Sequence, residues 1–161
     1  MSPLARLAPV FCVVAALAGC TEQPGPTPSA ATQESAAVTD NPVHYFEIPV
    51  TDLDRAVRFY GAVFRYRFER TVVDGYEMAL LPRADGAPGA SGALAKGDVY
   101  VPSVNGPILY LSVDDIDPVL ERATAQGAEI LYAKKSIGEN GYVAEIRDSE
   151  GNRIALHAFA D

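Results

Sequence analysis

Few side chains in this sequence have types that could carry out chemistry, and their positions exclude several kinds of site. Both cysteines, Cys12 and Cys20, lie within the first twenty residues, so the remaining chain has no thiol nucleophile and no disulfide. The two histidines, His44 and His157, stand in no recognisable Ser-His-Asp arrangement. Glu47 lies in an otherwise apolar stretch, where a carboxylate must reach solvent, pair with a basic group or with His157, or bind a ligand.

The segment around Glu47 has the pattern of a strand followed by a helix. Residues 43–50 are strand-like, and either Thr51 or Asp52 can cap the helix that follows. Its apolar side chains recur at helical spacing, at Leu53, Ala56, Val57, Tyr60, Val63 and Phe64. Strands are predicted at 66–73 and 75–81 around an Asp74-Gly75 turn, and a short strand is predicted at 93–96 after a loop rich in glycine, alanine and proline.

The same order of elements is repeated later in the chain. A strand at 108–113 precedes a helix capped by Asp114 or Asp115, and three strands follow at 128–134, 141–147 and 152–159. Val50 aligns with Val113 at an offset of 63 residues (113 − 50), and residues 78–80 (MAL) echo residues 154–156 (IAL).

This repeat predicts an α+β fold of two paired βαβββ modules. Module one spans 43–97 and module two spans 107–159, within a domain at 42–161. Pairing would curl the sheets around a shared cavity, with the helices outside. One chain could close one cavity, or two chains could exchange modules, so a homodimer is possible.

The N-terminal residues indicate export and anchoring. Arg6 precedes a short apolar run, and the sequence LAGC at residues 17–20 resembles the lipobox of bacterial lipoproteins. This resemblance implies a signal peptide at 1–19 and a lipid on Cys20 that attaches the protein to a membrane. Residues 20–41, which include three prolines, are predicted to be a disordered tether. The expected location is the cell envelope, at the outer membrane facing the periplasm.

Charge argues against a nucleic-acid partner. The chain has 21 acidic residues against 13 basic ones, and its formal net charge is −8. Nucleic-acid binding requires a basic face, and no basic cluster is present.

Two sequence motifs carry a family resemblance. The stretch IPVTDLDRA at residues 48–56 and the stretch DSEGNRI at residues 148–154, in this order of elements, resemble the vicinal oxygen chelate superfamily. That superfamily includes glyoxalase I, bleomycin-resistance proteins and extradiol dioxygenases. The resemblance covers residues 43–159 and implies the paired-module fold.

The resemblance also implies where a divalent metal would be held. Enzymes of the superfamily commonly use His and Glu from equivalent strands, and the matching positions here are Tyr45, Ala79, Ile108 and Ala155. Three of these side chains have no donor atom, and a neutral tyrosine is a poor ligand. We therefore predict no metal and no other cofactor, and neither glyoxalase nor dioxygenase activity.

Strand alternation predicts which side chains would line the cavity. The predicted lining consists of Tyr45, Glu47, Glu77, Ala79, Leu81, Ile108, Tyr110, Ala155 and His157. Such a mixture suits a small, partly apolar organic ligand, so a metal-free binding protein is the leading hypothesis. One alternative is a lyase or isomerase that uses Glu47 as acid or base with His157 or a tyrosine as its partner. Another is an interaction module for an envelope protein.

Overall fold

A computed structural model describes residues 43–160, which belong to one compact unit. The first module contains strand β1 (Tyr45–Val50), helix α1 (Leu53–Phe64) and strands β2 (Glu69–Val73), β3 (Tyr76–Leu80) and β4 (Ser91–Lys96). The second module repeats this order with β5 (Leu109–Ser112), α2 (Ile116–Ala125), β6 (Glu129–Ser136), β7 (Tyr142–Arg147) and β8 (Arg153–Ala158). A short 3₁₀ turn, Gly138–Asn140, connects β6 to β7.

Each module forms its own four-stranded mixed sheet. The strand orders are β1-β4-β3-β2 and β5-β8-β7-β6, so the two sheets have the same topology. In each sheet the first strand is parallel to the last, and the remaining pairs are antiparallel. The predicted α+β fold of two βαβββ modules is confirmed.

Aspartates begin both helices. The Asp52 side chain accepts a hydrogen bond from the backbone N–H of Arg55 at 2.9 Å, and Asp115 accepts one from Asp117 at 3.1 Å. These contacts satisfy helix N–H groups that have no partner within the helix. Of the two cap candidates predicted at each helix, the second is therefore the one that the structure uses.

The two helices and one face of each sheet share a single apolar core. Residues Tyr60, Val63, Ile116, Ile146 and Leu156 are fully buried in it. The core draws on α1, α2 and both sheets, so neither module packs by itself. The side chain of Arg122 on α2 also donates to the backbone oxygen of Val63 on α1 at 2.7 Å.

The predicted strand at 66–73 begins later than expected. β2 starts at Glu69, because Tyr66 continues a series of aromatic rings that runs from the core. The ring of Phe64 stacks between those of Tyr60 and Tyr66, at centroid distances of 5.6 and 5.3 Å. These contacts hold the chain after α1 against the helix rather than in the sheet.

A turn of module two binds directly to module one. Asp148 is buried, and its Oδ2 accepts hydrogen bonds from the Tyr60 hydroxyl at 2.7 Å and from the Asn152 amide at 2.9 Å. The same amide of Asn152 donates to the backbone oxygen of Pro49 on β1 at 2.8 Å. The turn at 148–152 thus joins a helix and a strand of module one to the start of β8.

Glu150 accepts the most hydrogen bonds of any side chain in this turn. Its buried carboxylate accepts hydrogen bonds from the N–H and hydroxyl of Thr51, from the N–H of Asp52 and from the guanidinium of Arg55, at 2.8–3.0 Å. Burial acts to raise the pKa of Glu150, but the hydrogen bonds from Arg55, Asp52 and Thr51 outweigh it and lower the pKa to about 2. The carboxylate also lies at the N-terminus of α1, where negative charge is favourable.

The N-terminal predictions lie outside the described residues. They are the signal peptide at 1–19, the lipid on Cys20 and the tether at 20–41. Within residues 43–160, no helix has the length and apolar character needed to cross a membrane.

Replacing Glu150 by Gln should destabilise the domain. The variant loses a charged acceptor of six hydrogen bonds, and the expected cost is about 2 kcal/mol at neutral pH in urea unfolding. A lowered pKa in the folded state contributes stability above the ordinary pKa of 4.5, which is lost as the pH falls toward about 2. The wild type should therefore lose this part of its stability between those values, and Glu150→Gln should lack that pH-dependent part.

Glu139→Gln is the matched control, because Glu139 is exposed on the 3₁₀ turn. Its free energy of unfolding should stay within about 0.5 kcal/mol of the wild type. Equal stability of the two variants at neutral pH would contradict the proposed role of Glu150.

Candidate functional site

An apolar cleft lined by both modules lies at the seam between β1 and the start of β8. This inter-module cleft has a volume of about 520 Å³. Its apolar walls come from β1, from the connection between the modules and from the entry to β5. They are formed by Val43, Phe46, Ile48, Pro49, Val101, Pro107, Ile108, Leu109 and Ile154. Polar side chains in the lining include Glu47, Ser103, Asn105 and Arg153.

Another cleft, of about 500 Å³, lies on the helix side of the molecule. Its charged lining residues include Arg65 at the end of α1, Asp114 just before α2 and Arg122 in the last turn of α2. Arg122 is engaged there in holding α1, and this cleft contains none of the predicted cavity residues. The inter-module cleft is therefore the better candidate site.

Strand alternation was predicted correctly for three strands. On β1, Ile48 and Val50 are buried in the helix-side core, whereas Tyr45 and Glu47 are exposed on the opposite face, here called the open face. On β5 and β8, Tyr110 pairs with Ala155 in the sheet register, and both lie on the open face. His157 lies two residues beyond Ala155, on the same face.

The alternation predicted for β3 is wrong. Ala79 is buried in the helix-side core, and Glu77 shares its face and forms an ion pair with Lys96 at 2.9 Å. Met78, between them, is on the open face, where it packs with Ala93 and Ala95 of β4. Because Met78 and Ala79 are both buried, the sequence pattern of this strand did not reveal which face meets the helix.

The alignment of residues 78–80 with residues 154–156 is also wrong, because the two segments lie on strands that do not correspond. β3 is the third strand of its module, whereas β8 is the fourth strand of the other. β4 is the true counterpart of β8, since each runs parallel to the first strand of its sheet. Ala93, which pairs with Glu47, therefore replaces Ala79 as the partner position of Ala155.

The residues present do not suit the divalent metal that the resemblance implies. With the corrected position, the four candidate ligands are Tyr45, Ala93, Ile108 and Ala155, of which only tyrosine has a side-chain donor. Within residues 43–160, no three His, Cys, Asp or Glu side chains come together in a way that could hold a metal ion. Because a divalent ion needs carboxylate, imidazole or thiolate donors, we derive no chemical step through a metal.

Glu47 has a tyrosine partner, Tyr100, which the sequence did not single out among its tyrosines. The hydroxyl of Tyr100, from the connection after β4, donates to Glu47 Oε2 at 2.7 Å. This hydrogen bond, together with burial and the negative charge of Glu47, raises the pKa of Tyr100 to about 12. A tyrosine three residues after Gly97 in an irregular segment carries no periodic signal, so only the three-dimensional structure could reveal this contact.

The remaining predicted cavity residues are dispersed. Leu81 and Tyr110 line a neighbouring cleft of about 430 Å³, which shares Val43, Phe46 and Leu109 with the inter-module cleft. His157 is hydrogen-bonded through Nε2 to the backbone oxygen of Asn140 at 2.8 Å, and its ring packs edge-on against Phe159. Among the described residues, no hydrogen bond, ion pair or shared cleft connects His157 to Glu47.

Arg153 is a second residue that sequence analysis missed. It lies at the start of β8, lines the inter-module cleft and approaches Glu145 at an Nε–Oε2 distance of 3.4 Å. Its Nε atom is buried and makes no hydrogen bond. The cleft is thus bordered by a carboxylate, Glu47, from module one and by a guanidinium, Arg153, from module two.

Comparisons with known proteins agree with this architecture. CFP32 of Mycobacterium bovis, a glyoxylase by name, is 28% identical over 119 residues, which cover 70% of this chain and 44% of CFP32. The chain therefore spans less than half the length of that relative. A glyoxylase-like domain-containing protein of Didymella fabae is 30% identical over 115 residues, covering 68% of this chain and 88% of the fungal protein.

A solved structure shows the same fold. TnmS3, an antibiotic binding protein from Streptomyces sp. CB03234, superposes with a TM-score of 0.55 at 22% sequence identity, covering 76% of this chain and 98% of TnmS3. The model of the Glyoxalase/Bleomycin resistance protein/Dioxygenase superfamily matches residues 42–156, which include both modules and the turn that joins them. The chain belongs to this superfamily.

Proposed function

We propose that this protein is an envelope-anchored binding protein that holds a small, partly apolar organic molecule between its two modules, without a metal. The observation that carries the proposal is the inter-module cleft, whose walls are mainly apolar and whose polar side chains are few. A volume of about 520 Å³ falls in the range of small-molecule sites, and a few polar groups on apolar walls are typical of such sites.

The polar groups of the cleft support binding better than turnover. The pKa of Tyr100, raised to about 12 by its hydrogen bond to Glu47, makes this phenol a weak acid at neutral pH. His157, the predicted partner of Glu47 in the enzyme alternative, is bonded to Asn140 instead. The enzyme alternative pairs Glu47 with His157 or a tyrosine, and among the described residues the structure gives Glu47 only the weakly acidic hydroxyl of Tyr100.

The envelope location rests on the sequence of the N-terminus. The lipobox-like sequence at residues 17–20 would place a lipid on Cys20, and residues 20–41 would connect the membrane surface to the domain. A lipid-anchored binding domain would meet small molecules that enter the envelope. TnmS3, which is named an antibiotic binding protein, has the same fold, so this scaffold is compatible with a binding role.

Divalent metals should neither bind nor stabilise this protein. The family's ligand positions lack donors, so about 1 mM Zn²⁺, Ni²⁺ or Mn²⁺, or the same concentration of EDTA, should shift the Tm by less than about 1 °C. Elemental analysis of the purified chain should find no stoichiometric metal. One tightly bound ion per chain would contradict this prediction and favour glyoxalase-type chemistry.

Val101→Trp should block the inter-module cleft. Val101 lines the cleft but is 71% exposed, so a larger ring can obstruct the opening at little cost in stability. Native mass spectrometry of the chain, after incubation with a small-molecule extract of its own cells, should show a bound molecule on the wild type. Val101→Trp should retain it at least about tenfold less.

Val99→Trp is the matched control, because Val99 is 63% exposed and does not line the cleft. It should retain the molecule as the wild type does. Equal retention by the two tryptophan variants would exclude this cleft as the site, and a bound molecule that is released with a changed mass would indicate an enzyme instead.

A further inference from the structure

The open face of the first sheet carries three tyrosines around one carboxylate. Tyr45 and Glu47 lie two residues apart on β1, Tyr76 begins β3, and Tyr100 comes from the connection after β4. We refer to these four residues as the tyrosine cluster. They come from β1, from β3 and from the connection that follows β4, so the cluster exists only in the folded domain.

The tyrosine cluster lies over an apolar patch, here called its floor, against which the rings of Tyr76 and Tyr100 pack. Ala93 and Ala95 of β4 are fully buried, and Met78 is buried beside them. Small alanine side chains at the centre of the face leave room for rings above them. The hydroxyl of Tyr45 lies 4.0 Å from the sulfur of Met78, which places this ring at the border of the floor.

Two of the rings pack against each other nearly at right angles. Tyr76 and Tyr100 meet edge to face, with centroids 5.3 Å apart and planes at 86°. The backbone at Gly97 makes this arrangement possible, because a β-carbon there would overlap the ring of Tyr76 and lie 3.4 Å from that of Tyr100. The position of Tyr76 therefore depends on glycine at residue 97.

The carboxylate of the cluster has no cationic partner. Glu47 is exposed, and among residues 43–160 it makes no ion pair; its oxygen accepts a hydrogen bond from the neutral hydroxyl of Tyr100. Lys96 of the same sheet is on the opposite face, paired with Glu77. Burial is the main cause of the raised pKa of Tyr45, and the hydrogen bond to Glu47 is the main cause of the raised pKa of Tyr100. The negative charge of Glu47 raises both pKa values further.

Aromatic rings beside an unpaired carboxylate are a recognised arrangement for binding organic cations. The negative face of an aromatic ring attracts a cation, and several rings together enclose an ammonium group while the carboxylate balances its charge. An anion would be repelled by Glu47, and a wholly neutral ligand would leave that charge uncompensated.

We propose that the tyrosine cluster is a cage for an organic cation, a protonated or quaternary amine attached to an apolar body. This proposal rests on the proposed binding function and names the chemical class of its ligand. Glu47 also lines the inter-module cleft, so a ligand can place its ammonium group in the cage and its apolar body along the cleft walls. Arg153, at the module-two side of the cleft, is ion-paired with Glu145.

The test compares three probes on the full chain in a non-ionic detergent. Benzyltrimethylammonium is the cation, benzyl alcohol is the neutral compound and phenylacetate is the anion, each with the same phenyl ring. The chain has eight tyrosines and no tryptophan, so tyrosine fluorescence reports directly on the rings, and calorimetry gives the affinity. The cation should bind at least about tenfold more tightly than the other two, and its advantage should fall as salt is added.

Variants identify the residues responsible. Glu47→Gln and Tyr100→Ala should each weaken binding of benzyltrimethylammonium about tenfold, while Glu47→Gln leaves the affinity for benzyl alcohol within about twofold. Tyr100→Phe keeps the ring and should weaken binding of the cation less than Tyr100→Ala does. Tyr132→Ala removes an exposed tyrosine of the second sheet and serves as the control, with circular dichroism to confirm folding of each variant.

The outcomes separate this proposal from the broader one. Equal affinity for the three probes, or a cation affinity that Glu47→Gln does not change, would overturn the cage and leave the small-molecule function standing. Absence of saturable cation binding would also overturn the cage. The broader function is judged independently, by the retention of a cellular molecule in the wild type and the two tryptophan variants.

Discussion

Two carboxylates of one turn, Asp148 and Glu150, hold the modules of this protein together. Both belong to module two, yet their hydrogen bonds reach Tyr60, Thr51 and Arg55 of module one. Removing a carboxylate from water costs several kcal/mol unless its oxygens find donors in the protein. The donors are present only when helix α1 and the turn meet in one geometry, so the turn specifies how the modules pack as well as adding stability.

This docking determines where the cleft lies. Asn152, at the end of the turn, donates both to Asp148 and to the backbone oxygen of Pro49, which brings the edge of β1 beside the start of β8. The helix-side core fills the space between the helices and the sheets, and the inter-module cleft lies at its border, where β1 meets the start of β8. The two strands that border the cleft are therefore held by the same turn, and the connection between the modules completes its lining.

The superfamily fold is retained here with a different set of side chains in its cavity. Where related enzymes place metal ligands, this chain has Tyr45 and three apolar residues, and its charges are Glu47 and Arg153 at opposite sides of the cleft. A fold does not by itself specify chemistry, which depends on the groups that the fold positions. Within residues 43–160 those groups are aromatic rings, the carboxylate of Glu47, which makes no ion pair there, and the guanidinium of Arg153, all of which are suited to recognition.

Local sequence features determined the elements and their order. The 63-residue repeat predicted two equivalent modules, the aspartates at 52 and 115 predicted where the helices begin, and alternation on β1, β5 and β8 identified the open face. These features succeeded because caps and half-buried strands depend on side chains that are close together in the chain. The lack of metal donors at the superfamily's ligand positions also followed from the residue types alone. The structure moves one of these positions from Ala79 to Ala93, and alanine offers no donor at either place.

Only the tertiary structure decided which residues meet at the site. On β3 both faces are buried, Met78 on one and Ala79 on the other, so an alternating pattern could not distinguish the face that meets the helix. Tyr100 reaches Glu47 across 53 residues from an irregular connection, and His157 is turned away by its bond to Asn140. Contacts of this kind depend on the packing of distant segments, which no local periodicity records.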